Sequence, residues 1–334
     1  MNTESIRLKT YVKGGGYQLK KQKTVEHGKY GINFIVPFFL IFFVFQLYPL
    51  IYTFYNSLIY SAKNGRNVVE SFGFGNFTNY VFGDKAGGEV WKALAITAIL
   101  WILNFIPQIL LSLLLAAWFT DVRYKLKGTG AFKVIMYMPN IITAATIGFL
   151  FYSLFENYGP LTTVLRNMGL VKNPTGILSH GWASLIIIAF IQFWMWYGNT
   201  MIVLCAGILG INPALYEAAM VDGANSKQQF FKITLPLLKP ILQYTLVTSA
   251  IGGLQMFDIP QLFNGGGPQV IFENGGSVQS TTTVMMLIKK YSTQGSGTID
   301  LGRAAAYSVV LFIATMLVSL IFYKVTQEKS RDGR

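Results

Sequence analysis

Glu217-Ala218-Ala219-Met220-Val221-Asp222-Gly223-Ala224, followed by Phe230, Ile233, Leu235, Pro236 and Pro240, is a compact, partly polar insert between two long apolar blocks. A chain that only spans a bilayer has no use for roughly two helical turns on each side of a glycine there. A chain that must hold a soluble partner on one side does. Asn212 and Pro213 supply a helix start, asparagine as the cap and proline in the first helical position. Ala214 to Val221 then reads as helix, and Gly223 is placed to end it in the left-handed conformation. A second short helix is predicted from Ser226, capped by its own side chain, ending before Pro236. Ala218, Ala219 and Ala224 let another surface approach the backbone, and Phe230, Phe231, Ile233 and Leu235 offer an apolar grip. The residues alone fit equally well an interfacial helical hairpin with Glu217 and Asp222 as solvated charges.

The blocks around the insert are long. Hydrophobic residues make up 52% of the 334 and charged residues only 12%, against about a quarter in a soluble domain. The apolar residues fall in stretches near the roughly 20 needed to cross a hydrocarbon core of about 30 Å. Six spans are predicted: Phe34 to Ser57, Ala93 to Phe119, Val134 to Phe155, Trp182 to Leu209, Leu238 to Phe263, and Ala304 to Tyr323. The expectation is an all-α membrane protein of six transmembrane helices, with the insert on the cytoplasmic side between helices 4 and 5. The first block is too long for a signal core and is read as a retained span.

A net charge of +13 invites a nucleic-acid reading, but its distribution argues against one. With the N-terminus inside, most of the 27 basic residues fall on one side: the tail from Arg7 to Lys29, Arg123 to Lys133, Lys227 to Lys239, and Lys324 to Arg334. That excess orients the chain and places both termini in the cytoplasm. Residues 1–30 then form a basic, flexible cytoplasmic tail with weak attraction to anionic lipid, 31–326 the transmembrane domain with the insert at 210–236, and 327–334 a second tail. Cys205 is the single cysteine, and His27 and His180 lie far apart, so neither a disulfide nor a Cys/His metal or catalytic site is expected.

Outside, Ile59 to Trp91 and Asn264 to Arg303 read as glycine-rich loops, with a short amphipathic helix at the outer surface within Thr281 to Tyr291. The fourth span carries an unusual set: Gln192, Trp194, Trp196, Tyr197, Asn199 and Thr200. Gln192, Trp196 and Asn199 share one helix face. Amides that bond hydroxyls, beside a ring that stacks on C–H faces, suit a saccharide; bonding to neighbouring helices is the alternative. Asp258 is read as a loop-anchoring acceptor rather than a proton relay.

The insert, with a dozen positions in register, resembles the EAA coupling loop of permease subunits in carbohydrate-uptake ABC importers. Phe257-Asp258 ahead of Gly265-Gly266-Gly267-Pro268, Gly302-Arg303-Ala304-Ala305-Ala306-Tyr307-Ser308, and Phe34-Ile35-Val36-Pro37 leading to Tyr48-Pro49 resemble the same family, closest to the maltose-type first permease. The likeness runs from about Ile32 onward and implies a multi-pass bacterial cell-membrane protein. It further implies a second homologous permease, two ATPase subunits, an extracellular or periplasmic solute-binding protein, and a sugar or oligosaccharide substrate. The ATPase-coupling residues are then Glu217, Ala218, Ala219, Asp222, Gly223 and Ala224, with the glutamate pairing a basic residue of the ATPase. Alignment from the loop gives Gln192, Met195, Trp196 and Asn199 in the fourth span and Ser249, Gly252, Gly253 and Met256 in the fifth as substrate positions. The chain has no G-x-x-x-x-G-K-[ST] phosphate loop. It is therefore expected to be non-catalytic and free of cofactors, with ATP and magnesium on the partner ATPases. A permease for glycerol phosphate or another polyol is the nearest alternative, disfavoured by the lack of a cationic mid-span residue. A membrane-embedded enzyme would need clustered carboxylates or a His motif. A secondary carrier would show inverted repeats and midplane ionisable groups.

Overall fold

The computed structural model describes residues 8–13, 16–21, 28–64, 67–83, 88–121, 127–170, 176–271, 277–293 and 299–326. The C-terminal tail, Arg123 and Lys125, and the glycine clusters Gly275-Gly276 and Gly295 to Gly297 lie outside them. The chain divides into two compact units, residues 1–53 and 54–334.

In the first unit, the tail read as flexible contains a hairpin, β1 (Leu8–Lys13) antiparallel to β2 (Gly16–Lys21). Thr10, Tyr11, Val12 and Tyr17 are residue types that favour strands. Helix α1 (Gly28–Phe42) follows and passes through a π-turn, Phe43–Leu47, into α2 (Tyr48–Ser57). Pro49 has no N–H to continue the α-pattern, and just before it the Tyr48 N–H reaches back five residues to the Phe43 carbonyl. Phe34 and Phe45 are 84% and 72% exposed, a surface suited to lipid.

The second unit opens with the hairpin β3 (Ile59–Asn64) and β4 (Asn67–Phe72) and a π-turn at Phe77–Val81, so the expected loop is partly strand. Its core is the pair α3 (Glu89–Thr120) and α7 (Gly181–Leu209). Polar side chains on α3 join the two: Gln108 Nε2 donates to Thr200 Oγ1 at 2.7 Å, and Ser112 Oγ to the Tyr197 carbonyl at 2.7 Å. Such bonds hold helices together where apolar contact gives no preference over lipid. Helix α4 (Thr129–Ile141) packs on α7 at Gly198, where a Cβ would overlap the Met136 carbonyl, so only glycine permits the approach.

Two expected spans are broken. The third is α4 followed by α5 (Ala144–Phe155), bent by 85° with the short α6 (Pro160–Asn167) continuing beyond. Thr143 causes the restart: its Oγ1 accepts the Thr146 N–H at 3.3 Å, a cap in place of another helical turn. A 3₁₀ turn at Ile177–Ser179 leads into α7. The fifth span is α11 (Lys239–Leu254), then unwound Gln255 to Phe257, then α12 (Asp258–Asn264). At 16 residues, α11 is short for a crossing. Among the described residues four helices are long and apolar enough to span a membrane, five when the bent pair is one crossing. Between α7 and α11 lie α8 (Pro213–Val221), α9 (Ser226–Gln229), a π-turn at Phe230–Thr234 and α10 (Leu235–Leu237).

After α12 a short hairpin, β5 (Gln269–Ile271) with β6 (Ser277–Gln279), precedes α13 (Val284–Ser292) and α14 (Leu301–Thr326). The outer-surface helix expected here is α13, but its apolar face packs against the bundle, with Lys289 and Lys290 left exposed. Val284, Met286, Leu287 and Tyr291 are buried against α3 and α14, and the Val284 N–H donates to Thr97 Oγ1 at 3.2 Å.

Candidate functional site

Helix α8 stands out from the bundle, with no residue buried and with Glu217, Ala218, Asp222 and Gly223 exposed. Local bonds suffice to form it. Asn212 Oδ1 accepts the Ala214 N–H at 3.1 Å, and Pro213 occupies the first turn. At the other end the Ala224 N–H donates to the Ala219 carbonyl at 2.9 Å and the Gly223 N–H to the Met220 carbonyl at 3.1 Å. That is the Schellman pattern, and it requires the φ of 75° at Gly223. The second helix is capped by Asn225, not by Ser226. Asn225 Oδ1 accepts the Gln228 N–H and Gln228 Oε1 accepts the Asn225 N–H, both at 2.8 Å. This reciprocal box satisfies two donors at once, which a lone serine cannot do. The helical run also continues through its π-turn past Pro236 instead of stopping before it.

A side-chain bond ties α8 to the π-turn that follows it: the Tyr216 hydroxyl and Thr234 Oγ1 lie 2.9 Å apart. Exposed apolar side chains of the region include Val221 at 88%, Phe231 at 62%, Leu237 at 50% and Leu215 at 46%. Of the four residues read as an apolar grip, Phe231 alone is exposed; Phe230, Ile233 and Leu235 are half-buried.

Midway along the bundle is a cavity of about 460 Å³, within the range of small-ligand sites. The structure brings the sequence-predicted positions together at its wall. Gln192, Met195, Trp196 and Asn199 come from α7; Ser249, Gly252, Gly253 and Met256 come from α11 and the unwound segment after it. Gln192 and Met195 are nearly buried while Trp196 is 46% exposed, so its ring is free to receive a partner. The rest of the polar set divides. Thr200 lines the cavity, Trp194 packs on Phe151 at 5.9 Å, and the buried Tyr197 donates its hydroxyl to Met136 Sδ at 3.1 Å. The last two serve the core.

A third wall was not foreseen. Trp101, Asn104 and Gln108 of α3 line the cavity, and Trp101 Nε1 donates to Ser249 Oγ at 3.1 Å. The signal was present: Asn104, Gln108 and Ser112 recur every four residues within an apolar span. The two glycines differ. Gly252 has no neighbour within 4 Å, whereas a Cβ on Gly253 would overlap the Trp101 indole. Gly253→Ala should therefore lower stability by about 1–3 kcal/mol, while Gly252→Ala should be neutral or better, read as thermal midpoints in detergent. Equal midpoints would contradict this packing.

Asp258 anchors no loop. Its carboxylate accepts no hydrogen bond from the described residues, and among them it is the one carboxylate on the cavity wall. No lysine, arginine or histidine is among the described lining residues. Apart from Asp258, the polar lining is amide and hydroxyl beside aromatic rings, a surface that suits hydroxyl-rich ligands.

The family model of binding-protein-dependent transport system inner membrane components matches residues 90–329, which contain α8, its flanking helices and the whole cavity wall. This chain belongs to that family. The permease is 31% identical over 305 residues to the lactose transport system permease protein LacF of Rhizobium radiobacter, covering 90% of this chain and 96% of that one. It is 30% identical over 306 residues to the arabinooligosaccharides transport system permease protein AraP of Bacillus subtilis, covering 90% and 89%. A crystal structure of a bacterial ABC transporter involved in the import of the acidic polysaccharide alginate contains a chain of the same fold. There the TM-score is 0.68 at 21% identity, over 92% of the permease and 98% of that chain.

Proposed function

We propose that the permease forms one side of the translocation path of an ATP-driven importer for a neutral sugar or oligosaccharide. One observation carries this reading. The segment 210–236, with α8 exposed, connects α7 to α11, and both helices supply parts of the cavity wall. A force applied to α8 through Glu217 to Ala224 is thereby delivered to the cavity. The relatives named for lactose and arabinooligosaccharides support the substrate class. The lining supports it too, since glycerol phosphate would call for a cation and none of the described lining residues is one.

In this reading the chain crosses the membrane six times with both termini in the cytoplasm, and the breaks in the third and fifth crossings are where backbone meets the cavity. Unwound backbone at membrane depth is tolerated where it lines such a space. The ATPase subunits, with their ATP and magnesium, dock on α8; a second permease completes the path; a solute-binding protein delivers the sugar from outside. The permease itself carries out no bond chemistry.

Uptake by the reconstituted transporter tests the cavity. Trp196→Ala combined with Asn199→Ala removes one stacking surface and one amide, and should weaken uptake roughly tenfold or more and shift sugar preference. Unchanged kinetics and preference would remove the cavity from consideration.

A further inference from the structure

At the end of α7 away from the coupling helix is a second cavity, of about 540 Å³, that the transport reading above does not use. It lies between the turn after α5 and the Asn264–Pro268 loop after α12, with Ser179 on its third side. Both loops are locked by their own hydrogen bonds. On one, the Gly159 N–H donates to the Glu156 carbonyl at 2.9 Å, Thr162 Oγ1 to the Phe155 carbonyl at 2.8 Å, and Arg166 Nη2 to the Asn157 carbonyl at 3.0 Å. On the other, Asn264 Oδ1 accepts Thr281 Oγ1 at 3.0 Å and the Gly266 N–H at 3.2 Å.

The rim side chains are left over. Tyr158 is 90% exposed, Glu156 is exposed, and neither has a partner among the described residues. A fixed backbone frame that presents an unspent ring and carboxylate lowers the ordering cost of binding. Rings for C–H faces and acceptors for hydroxyls are what a saccharide requires. No described lining residue is a cation, which argues against an anion.

The two cavities share walls. Helices α5 and α12 flank both, with Ala144 and Ile259 at the central one and Tyr152 and Asn264 at the other. Along α7, Gly181 and Gln192 are about 16 Å apart at 1.5 Å per residue. We propose that the end cavity is a second saccharide subsite, on which a neutral sugar rests on its way to the central one. This rests on the saccharide reading above.

The single cysteine, Cys205, is buried, so Ser179→Cys gives this chain one accessible thiol, inside the end cavity. Maleimide labelling of that thiol is followed in the assembled transporter without its binding protein, against lactose and arabinotriose, with glycerol as control. Protection of roughly threefold is expected when saccharide reaches twice its dissociation constant. It should vanish when Glu156→Gln and Tyr158→Ala are added, two exposed changes that break no side-chain bond among the described residues. No protection by either sugar, while uptake proceeds, overturns the subsite and leaves the transport reading standing. Protection seen only on adding the binding protein also overturns it, since the surface is then a protein contact. If no neutral saccharide stimulates ATP turnover in the unmodified transporter, both readings fall.

Discussion

Glu217→Lys should abolish saccharide uptake and saccharide-stimulated ATP turnover, by at least ~10-fold, while leaving the permease folded in the membrane. The glutamate is exposed on α8 and has no partner among the described residues, so reversing its charge disturbs nothing within the chain. What it disturbs, in the proposed reading, is the surface offered to the ATPase. Gly223→Pro reaches the same end by another route. Proline holds φ near −65° and lacks an N–H; Gly223 needs a φ of 75° and donates to Met220. The turn that ends α8 cannot form, and the helix is no longer presented. Copurification of the ATPase with each variant, alongside uptake in vesicles, separates docking from insertion. Full uptake by both variants would end the coupling assignment.

The second large effect is expected far from that loop. Arg303 on α14 bonds Glu89 of α3 at 2.8 Å and the Tyr307 hydroxyl at 3.0 Å, and its guanidinium lies 3.9 Å from the centre of the Tyr291 ring of α13. Glu89 also accepts the Tyr291 hydroxyl at 2.8 Å and Lys290 at 3.1 Å. The Arg303 and Glu89 side chains are only 14% and 23% exposed, so solvent screens the pair little. Arg303→Met should cost about 3 kcal/mol, seen as a lower thermal midpoint and reduced membrane abundance. Lysine should not restore it, because a point charge cannot both fork and stack. Lys290→Met should cost under about 1 kcal/mol, since Lys290 is 46% exposed. Equal effects at the two positions would sink the argument.

Burial, and next the Glu89 carboxylate, push the Tyr291 hydroxyl above its ordinary value of 10.0. The unfolded chain therefore ionises first as pH rises. This contribution stays constant below about pH 10 and falls above it, so the stability that rests on Tyr291 should not change across the physiological range.

Several parts of the molecule were legible in the residues alone. The apolar blocks foretold α3, α7 and α14, and the cap of α8 by Asn212 and its end at Gly223 appear as expected. Misreadings came where hydropathy cannot tell lipid from protein. Val284 to Tyr291 has one apolar face and was assigned to the membrane surface, but α3 and α14 cover that face instead. The fifth block reads as continuous because Gln255 to Phe257 are flanked by apolar residues; their unwinding is tolerated by the cavity beside them, which no window of sequence contains.

What the sequence by itself determined is the local form of the α8 turn and its caps. Its caps and turns are bonds between residues two to five positions apart, so local order is enough to specify them. What only the tertiary structure decided is the chamber. Gln108 meets Thr200, and Trp101 meets Ser249, across 92 and 148 positions. Such partners are chosen by how closely helices approach, and a glycine against an indole or a carbonyl sets that distance.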